Sequence, residues 1–129
     1  MFEFVILTVI IVLFIELRGI YNIRSDPQNH AYQPICTAIK EKCKNRSAHI
    51  VTSYPQLIAW KTHHPTIDGR RVGENIYGII NRFHPRYVVL DNLRTPAYSD
   101  YLRDCDSLWK NWQPIHHDRE KEFVILELN

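Results

Sequence analysis

The stretch IVTSYPQLIAWKTHHPTIDGRR, Ile50 to Arg71, decides the fold. It opens on β-branched residues, passes through Ser-Tyr-Pro-Gln and ends in Pro65, a short Thr-Ile-Asp segment and the dipeptide Asp68-Gly69. β-Branched side chains suit a pleated strand, so AHIVTS reads as one. Ser53 and Gln56 stand three apart ahead of apolar residues, the spacing of a capping box in which each side chain satisfies an exposed backbone donor. A helix to about Thr62 is expected. Proline disfavours helix in the residue before it, and glycine supplies the positive φ of a tight turn, so Pro65 and Asp68-Gly69 bracket a second brief extended segment. Alternation of strand and helix points to an α/β fold.

The flanking sequence continues the alternation. Ile76, Ile79, Ile80 and Phe83 fall at i, i+3, i+4 and i+7 and Pro85 follows, which makes an amphipathic helix with a stop. RYVVLDN is then an uninterrupted apolar strand of the kind covered on both faces. Thr95 is positioned to cap another helix with Pro96 in its first turn and Tyr101, Leu102, Cys105, Leu108 and Trp109 inward. WQPIHH and EFVILEL flank the polar DREK as a closing antiparallel hairpin. On the other side, PICTAIKEKCKN places Pro34 at a helix start and Ile35, Ile39 and Cys43 on one stripe. The expected order from residue 34 to 129 is α-β-α-β-α-β-α-β-β, a small α/β sandwich with a mixed sheet ending in an antiparallel hairpin.

The chain of 129 residues has space for one core. Its leader FVILTVIIVLFI, Phe4 to Ile15, is apolar except for Thr8. With about 20 mostly apolar residues needed for a span, residues 1–23 are expected to be a transmembrane helix with Glu16 and Arg18 in the headgroup region, and RSDPQNHAYQ, residues 24–33, a polar linker. The leader lacks the basic start and small-residue cleavage site of a signal peptide. Arg18 and Arg24 follow the span and no Lys or Arg precedes it, which for a lone anchor favours a cytoplasmic domain. Sixteen basic against fourteen acidic residues leave a formal charge of +2, too small and scattered for a nucleic-acid surface. Cys36 and Cys43 are about 10 Å apart along a helix axis, beyond disulfide reach, and read as buried thiols. Cys105 pairs with either only if the fold brings them together.

Right-handed crossovers bring the ends of parallel strands to one sheet edge, where ligands of open α/β sheets bind. Ser53, Tyr54, Asp68, Arg70, Arg71, Asp91 and Asn92 fall on that rim, and the paired arginines offer charge-assisted bonds to a phosphate or carboxylate. The competing reading makes Ser53 a helix cap, Arg70 and Arg71 solvated turn residues and Asp91 a strand end. His63-His64 and His116-His117 lack ligand spacing, since neighbours in a strand point to opposite faces, so no metal is expected. Neither G-x-x-x-x-G-K-[ST] nor G-x-G-x-x-G occurs, and no cofactor is implied. No nucleophile elbow is present, so no catalytic residue is assigned. Asn45-Arg46-Ser47 fits the N-glycosylation sequon.

The succession HIVTSYPQLIAWKTHHPTI, a helix, HPRYVVLD and a terminal EFVILEL resembles the C-terminal extracytoplasmic domain of membrane glycosyltransferases related to the protein mannosyltransferases and aminoarabinose transferases. Pro55, Trp60, Pro65, Tyr87, Val88, Val89 and Leu90 carry the match. The resemblance implies a last transmembrane helix leading into a small α/β domain outside the cytoplasm, against the lone-anchor inference from charge. It also implies transfer of a sugar from a polyprenyl-phosphate donor by acidic residues of a multi-span membrane domain that this chain lacks. The expected function is therefore an accessory domain, non-catalytic alone, belonging either to a longer protein or to an anchored relative that works with a separate membrane domain. The alternative is a single-pass anchored binding module whose rim of Tyr54, Arg70 and Arg71 takes an anionic partner.

Overall fold

The computed structural model describes residues 2–25, 28–70, 76–104 and 109–129. The elements in chain order are α1 (Phe2–Ser25), α2 (Gln28–Lys42), β1 (Ile50–Thr52), α3 (Pro55–Thr62), β2 (Thr66–Asp68), α4 (Ile76–Phe83), β3 (Tyr87–Asp91), α5 (Ala97–Asp104), β4 (Trp112–Asp118) and β5 (Phe123–Leu128). The strands form one sheet in the order β2-β1-β3-β5-β4. β1 is parallel to β2 and β3, whereas β5 is antiparallel to β3 and β4, so the mixed sheet and closing hairpin agree with the sequence reading.

Successive strand residues point to opposite faces, and each face has its own helical cover. On one, Tyr32, Ile35 and Ile39 of α2 and Leu57 and Ile58 of α3 pack against Ile50, Tyr87, Val89, Phe123 and Ile125. On the other, Ile79 of α4 and Tyr98 of α5 join Val51, Val88, Leu90, Val124 and Leu126, with Trp109 and Trp112 alongside. Being covered twice, β3 is buried at every position, which is why its sequence lacks polar alternation. The chain moves outward from β1 to β2 through α3, then back past β1 to β3 through α4. Right-handed crossovers require the helix to change face when the direction reverses, and α3 and α4 do lie on opposite faces.

Two N-terminal expectations need correction. α2 starts at Gln28, inside the expected linker, and passes through Pro34 instead of starting there. Proline costs an interior helix one backbone bond; here Tyr32 before it and Ile35 after it are both fully buried, and that packing holds the turn. α1 is a single helix whose large apolar side chains from Phe2 to Leu17 are exposed. Among the described residues, no helix is long and apolar enough to cross a membrane, so the span expected at residues 1–23 is not supported in that form. The apolar run from Phe4 to Ile15 lies between Glu3 and Glu16. Its length along a helix is about 18 Å, against a hydrocarbon core of about 30 Å. Cys36 and Cys43 are free and buried; Cys105 lies outside the described residues.

Candidate functional site

The reversal of chain direction at β1 creates the site. From the end of β1 the backbone turns toward α3 on one face, and from the end of neighbouring β3 it turns toward α5 on the other. Diverging connections leave a crevice at the carboxyl ends of the two strands. Thr52, Ser53, Gly69, Arg70, Asp91 and Thr95 contribute to its lining. Its free volume is about 20 Å³, enough for one water or one hydroxyl and far too little for a sugar ring.

A hydrogen-bonded chain forms the floor. Ser53 Oγ donates to Asp91 Oδ2 at 3.1 Å and lies 2.7 Å from the Tyr32 hydroxyl. A serine has one proton, and with it directed at a carboxylate the short contact to Tyr32 requires the tyrosine to donate. The chain therefore runs Tyr32 to Ser53 to Asp91. Asp91 Oδ1 also accepts the Leu93 backbone N–H at 2.9 Å. Asp91 is only 2% exposed. Burial pushes its carboxyl above the usual range, opposed by the Leu93 N–H, the Ser53 hydroxyl and the backbone and guanidinium of Arg94. Tyr32 is pushed up to about 12, first by burial and then by the charge of Asp91.

The expected rim residues divide into distinct structural roles. Asp68 Oδ1 accepts the Arg70 N–H at 2.8 Å and pairs with Arg70 Nε at 3.7 Å, which closes the Asp-Gly turn beside the crevice. Gly69 is favoured by close approach: a Cβ there would sit 3.2 Å from Val51 Cγ1, tighter than ordinary van der Waals contact. Arg71 lies outside the described residues. Asn92 bonds the Ser99 N–H and hydroxyl at 3.1 and 3.0 Å, which caps the first turn of α5. Tyr54 is buried beneath the site, its ring 3.6 Å from the Arg94 guanidinium carbon and edge-on to Tyr32. Arg94 Nε in turn donates to Gln28 Oε1 at 2.8 Å, and Gln28 Nε2 donates to the Leu93 carbonyl at 3.2 Å.

The capping box expected at Ser53 does not form. Tyr54 occupies the N-cap of α3 without a side-chain cap bond, Pro55 fills the first turn, and Thr52 Oγ1 accepts the Tyr54 N–H at 3.3 Å. Ser53 is free to face Asp91 because α3 begins one residue later than its capping-box spacing implies. Sequence reasoning missed Tyr32 and Arg94. The signal for Tyr32 was present: it stands three and seven residues before Ile35 and Ile39, on the same helical stripe.

The histidine pairs diverge. His63 is exposed in a left-handed C-cap, whereas His64 is buried with Nδ1 3.4 Å from the Ala48 carbonyl oxygen. His116 stacks on Phe123, and His117 Nε2 is 2.7 Å from the Tyr98 hydroxyl. Among the described residues no three metal-capable side chains gather.

No protein-family profile and no curated protein sequence matches the chain. The structure superposes on the crystal structure of the C-terminal globular domain of an oligosaccharyltransferase from Archaeoglobus fulgidus with a TM-score of 0.51 and 11% identity, covering 77% of this chain and 97% of that one. The likeness is one of fold. It does not reach the mannosyltransferase relationship that the sequence motifs resemble.

Proposed function

We propose that the chain is a ligand-holding accessory domain of a membrane glycosyltransferase that uses a polyprenyl-phosphate sugar. In this reading it is non-catalytic alone, and α1 seats it at a bilayer with the α/β domain outside the cytoplasm. The crevice at the ends of β1 and β3 is the observation that carries the reading, set in a fold that the oligosaccharyltransferase domain shares. The buried carboxylate of Asp91 and the remaining lone pair of Ser53 can both accept from a ligand hydroxyl. The small volume admits the tip of a ligand, while the rest stays on the rim or against a separate multi-span membrane domain. Lipid satisfies the exposed apolar sides of α1 better than water does. The pairing of Arg70 with Asp68 weighs against the alternative of an open anion-binding rim.

Purified chain in lipid nanodiscs, with and without a polyprenyl-phosphate sugar, tests the proposal. Saturable capture is expected, weakened about tenfold by Ser53→Ala, the loss of roughly one hydrogen bond to an uncharged group. Absence of capture refutes the holding role. Sugar transfer by the chain with no other polypeptide refutes the accessory role.

A further inference from the structure

We infer that the sheet edge bearing the Ser53–Asp91 crevice is the edge that faces the lipid surface, so that the crevice receives its ligand from the bilayer side. The inference rests on the reading of α1 as membrane-seated; which edge faces the lipid follows from contacts within the α/β domain. α2 runs against the direction of β1 and β3. Near its start, Gln28 bonds Leu93 and Arg94, and Tyr32 reaches Ser53, all at the carboxyl ends of the parallel strands. Just past its end, the Asn45 N–H meets the Tyr87 hydroxyl at the opposite, amino end of β3. Only residues 26 and 27 separate α1 from Gln28, so Ser25 lies within about 11 Å of Gln28 by chain length alone. α1 therefore departs from the crevice edge.

Register brings a further loop to that edge. Asp91 pairs with Phe123 and Asp118 also pairs with Phe123, so the β4–β5 turn, residues 119–122, projects beside the end of β3 and is exposed. The five residues of β3 put the far edge, with Asn45, Arg86 and Asn129, about 17 Å further from the departure point. A bilayer that holds α1 meets the crevice edge first. A phospholipid surface is the occupant this geometry favours, because α1, which leaves from this edge, exposes large apolar side chains from Phe2 to Leu17.

The test uses the wild-type chain and vesicles of phosphatidylcholine and phosphatidylglycerol carrying a trace of phospholipid with a photoreactive headgroup. Flotation establishes association, protection of Cys36 and Cys43 from alkylation establishes that the domain is folded, and mass spectrometry maps the cross-links. The expected result is labelling of residues 92–96 and 119–122 several-fold above residues 44–47 and 84–86. Equal or reversed labelling of folded, floating protein overturns the orientation and leaves the membrane seat standing. Failure to float, with α1 covered by protein instead, overturns the membrane seat and the orientation together.

Discussion

Replacing Ser53 by alanine separates two roles for one hydroxyl. As a simple helix cap, its loss costs about 1 kcal/mol and does not depend on Tyr32. In the structure the hydroxyl receives the Tyr32 proton and directs its own to Asp91, and all three side chains are buried. Alanine leaves the Tyr32 hydroxyl and one carboxylate oxygen without this partner, at about 1–3 kcal/mol for each orphaned group. The adjoining crevice of about 20 Å³ admits one water, which restores part of the loss. The expected cost is then about 2–3 kcal/mol, and Tm falls by roughly 10–15 °C in a domain of this size. Urea and thermal unfolding of wild type, Ser53→Ala, Tyr32→Phe and the double variant measure it. Tyr32→Phe removes only the donor end of the chain, so the two substitutions should be non-additive by about 1 kcal/mol. A Ser53→Ala cost near 1 kcal/mol that adds to that of Tyr32→Phe refutes the relay and restores the cap.

The remaining predictions concern the same edge and the buried thiols. Gly69→Ala forces Val51 to move by a few tenths of an ångström and should cost about 1 kcal/mol, relieved in the double variant with Val51→Ala; an additive double variant contradicts the close approach. Burial raises Cys43 to about 12, so about one thiol in ten thousand is ionised at pH 8, and alkylation of Cys43 should track global unfolding by urea. Reaction as fast as that of a free thiol in native buffer removes the assignment. For Asp91 the folded carboxyl holds its proton more tightly than the unfolded one, so its stabilisation is complete below the unfolded value near 3.9 and disappears as pH rises through the folded value. The amide of Asp91→Asn has no such proton, so the stability of that variant relative to wild type should climb across this window; a pH-independent difference in urea midpoint rules it out.

Periodic patterns made the element order legible. The Ile76, Ile79, Ile80 and Phe83 stripe and the uninterrupted Tyr87–Asp91 strand each allow one arrangement, because helical and two-sided strand burial leave different spacings. What was hidden depends on tertiary contact. Pro34 looks like a helix start because local cost is all that sequence shows, and the burial of Tyr32 and Ile35 that outweighs it appears only when the sheet is in place. Ser53 carries the same ambiguity: its spacing to Gln56 fits a local cap, yet a carboxylate 38 residues later claims its proton. Of the rim residues, Asp91 and Arg70 do line the crevice, whereas Asn92 is drawn off by Ser99 and Tyr54 by burial. The sheet edge was readable from crossover handedness, but which side chains turn into it was not.

Asp91 is the position at which fold and function pull in opposite directions. A central strand covered on both faces needs apolar side chains, and β3 supplies them until its last residue, where a carboxylate is buried against desolvation. Its bonds to Ser53 and to the Leu93 N–H, with Arg94 nearby, reduce that penalty without removing it, since the carboxyl remains shifted upward. An asparagine keeps the Leu93 bond on its carbonyl oxygen, can donate its amide to Ser53 with the Tyr32–Ser53 chain reversed, and carries no charge to bury. Retaining the acid is therefore explicable through what the crevice does: a hydroxyl entering from the rim meets a stronger acceptor in a carboxylate than in an amide. If this is correct, Asp91→Asn at neutral pH is the more stable protein and the weaker binder of a polyprenyl-phosphate sugar. A variant that is more stable yet captures the ligand as well as wild type would make Asp91 a structural strand end and remove the crevice from the function.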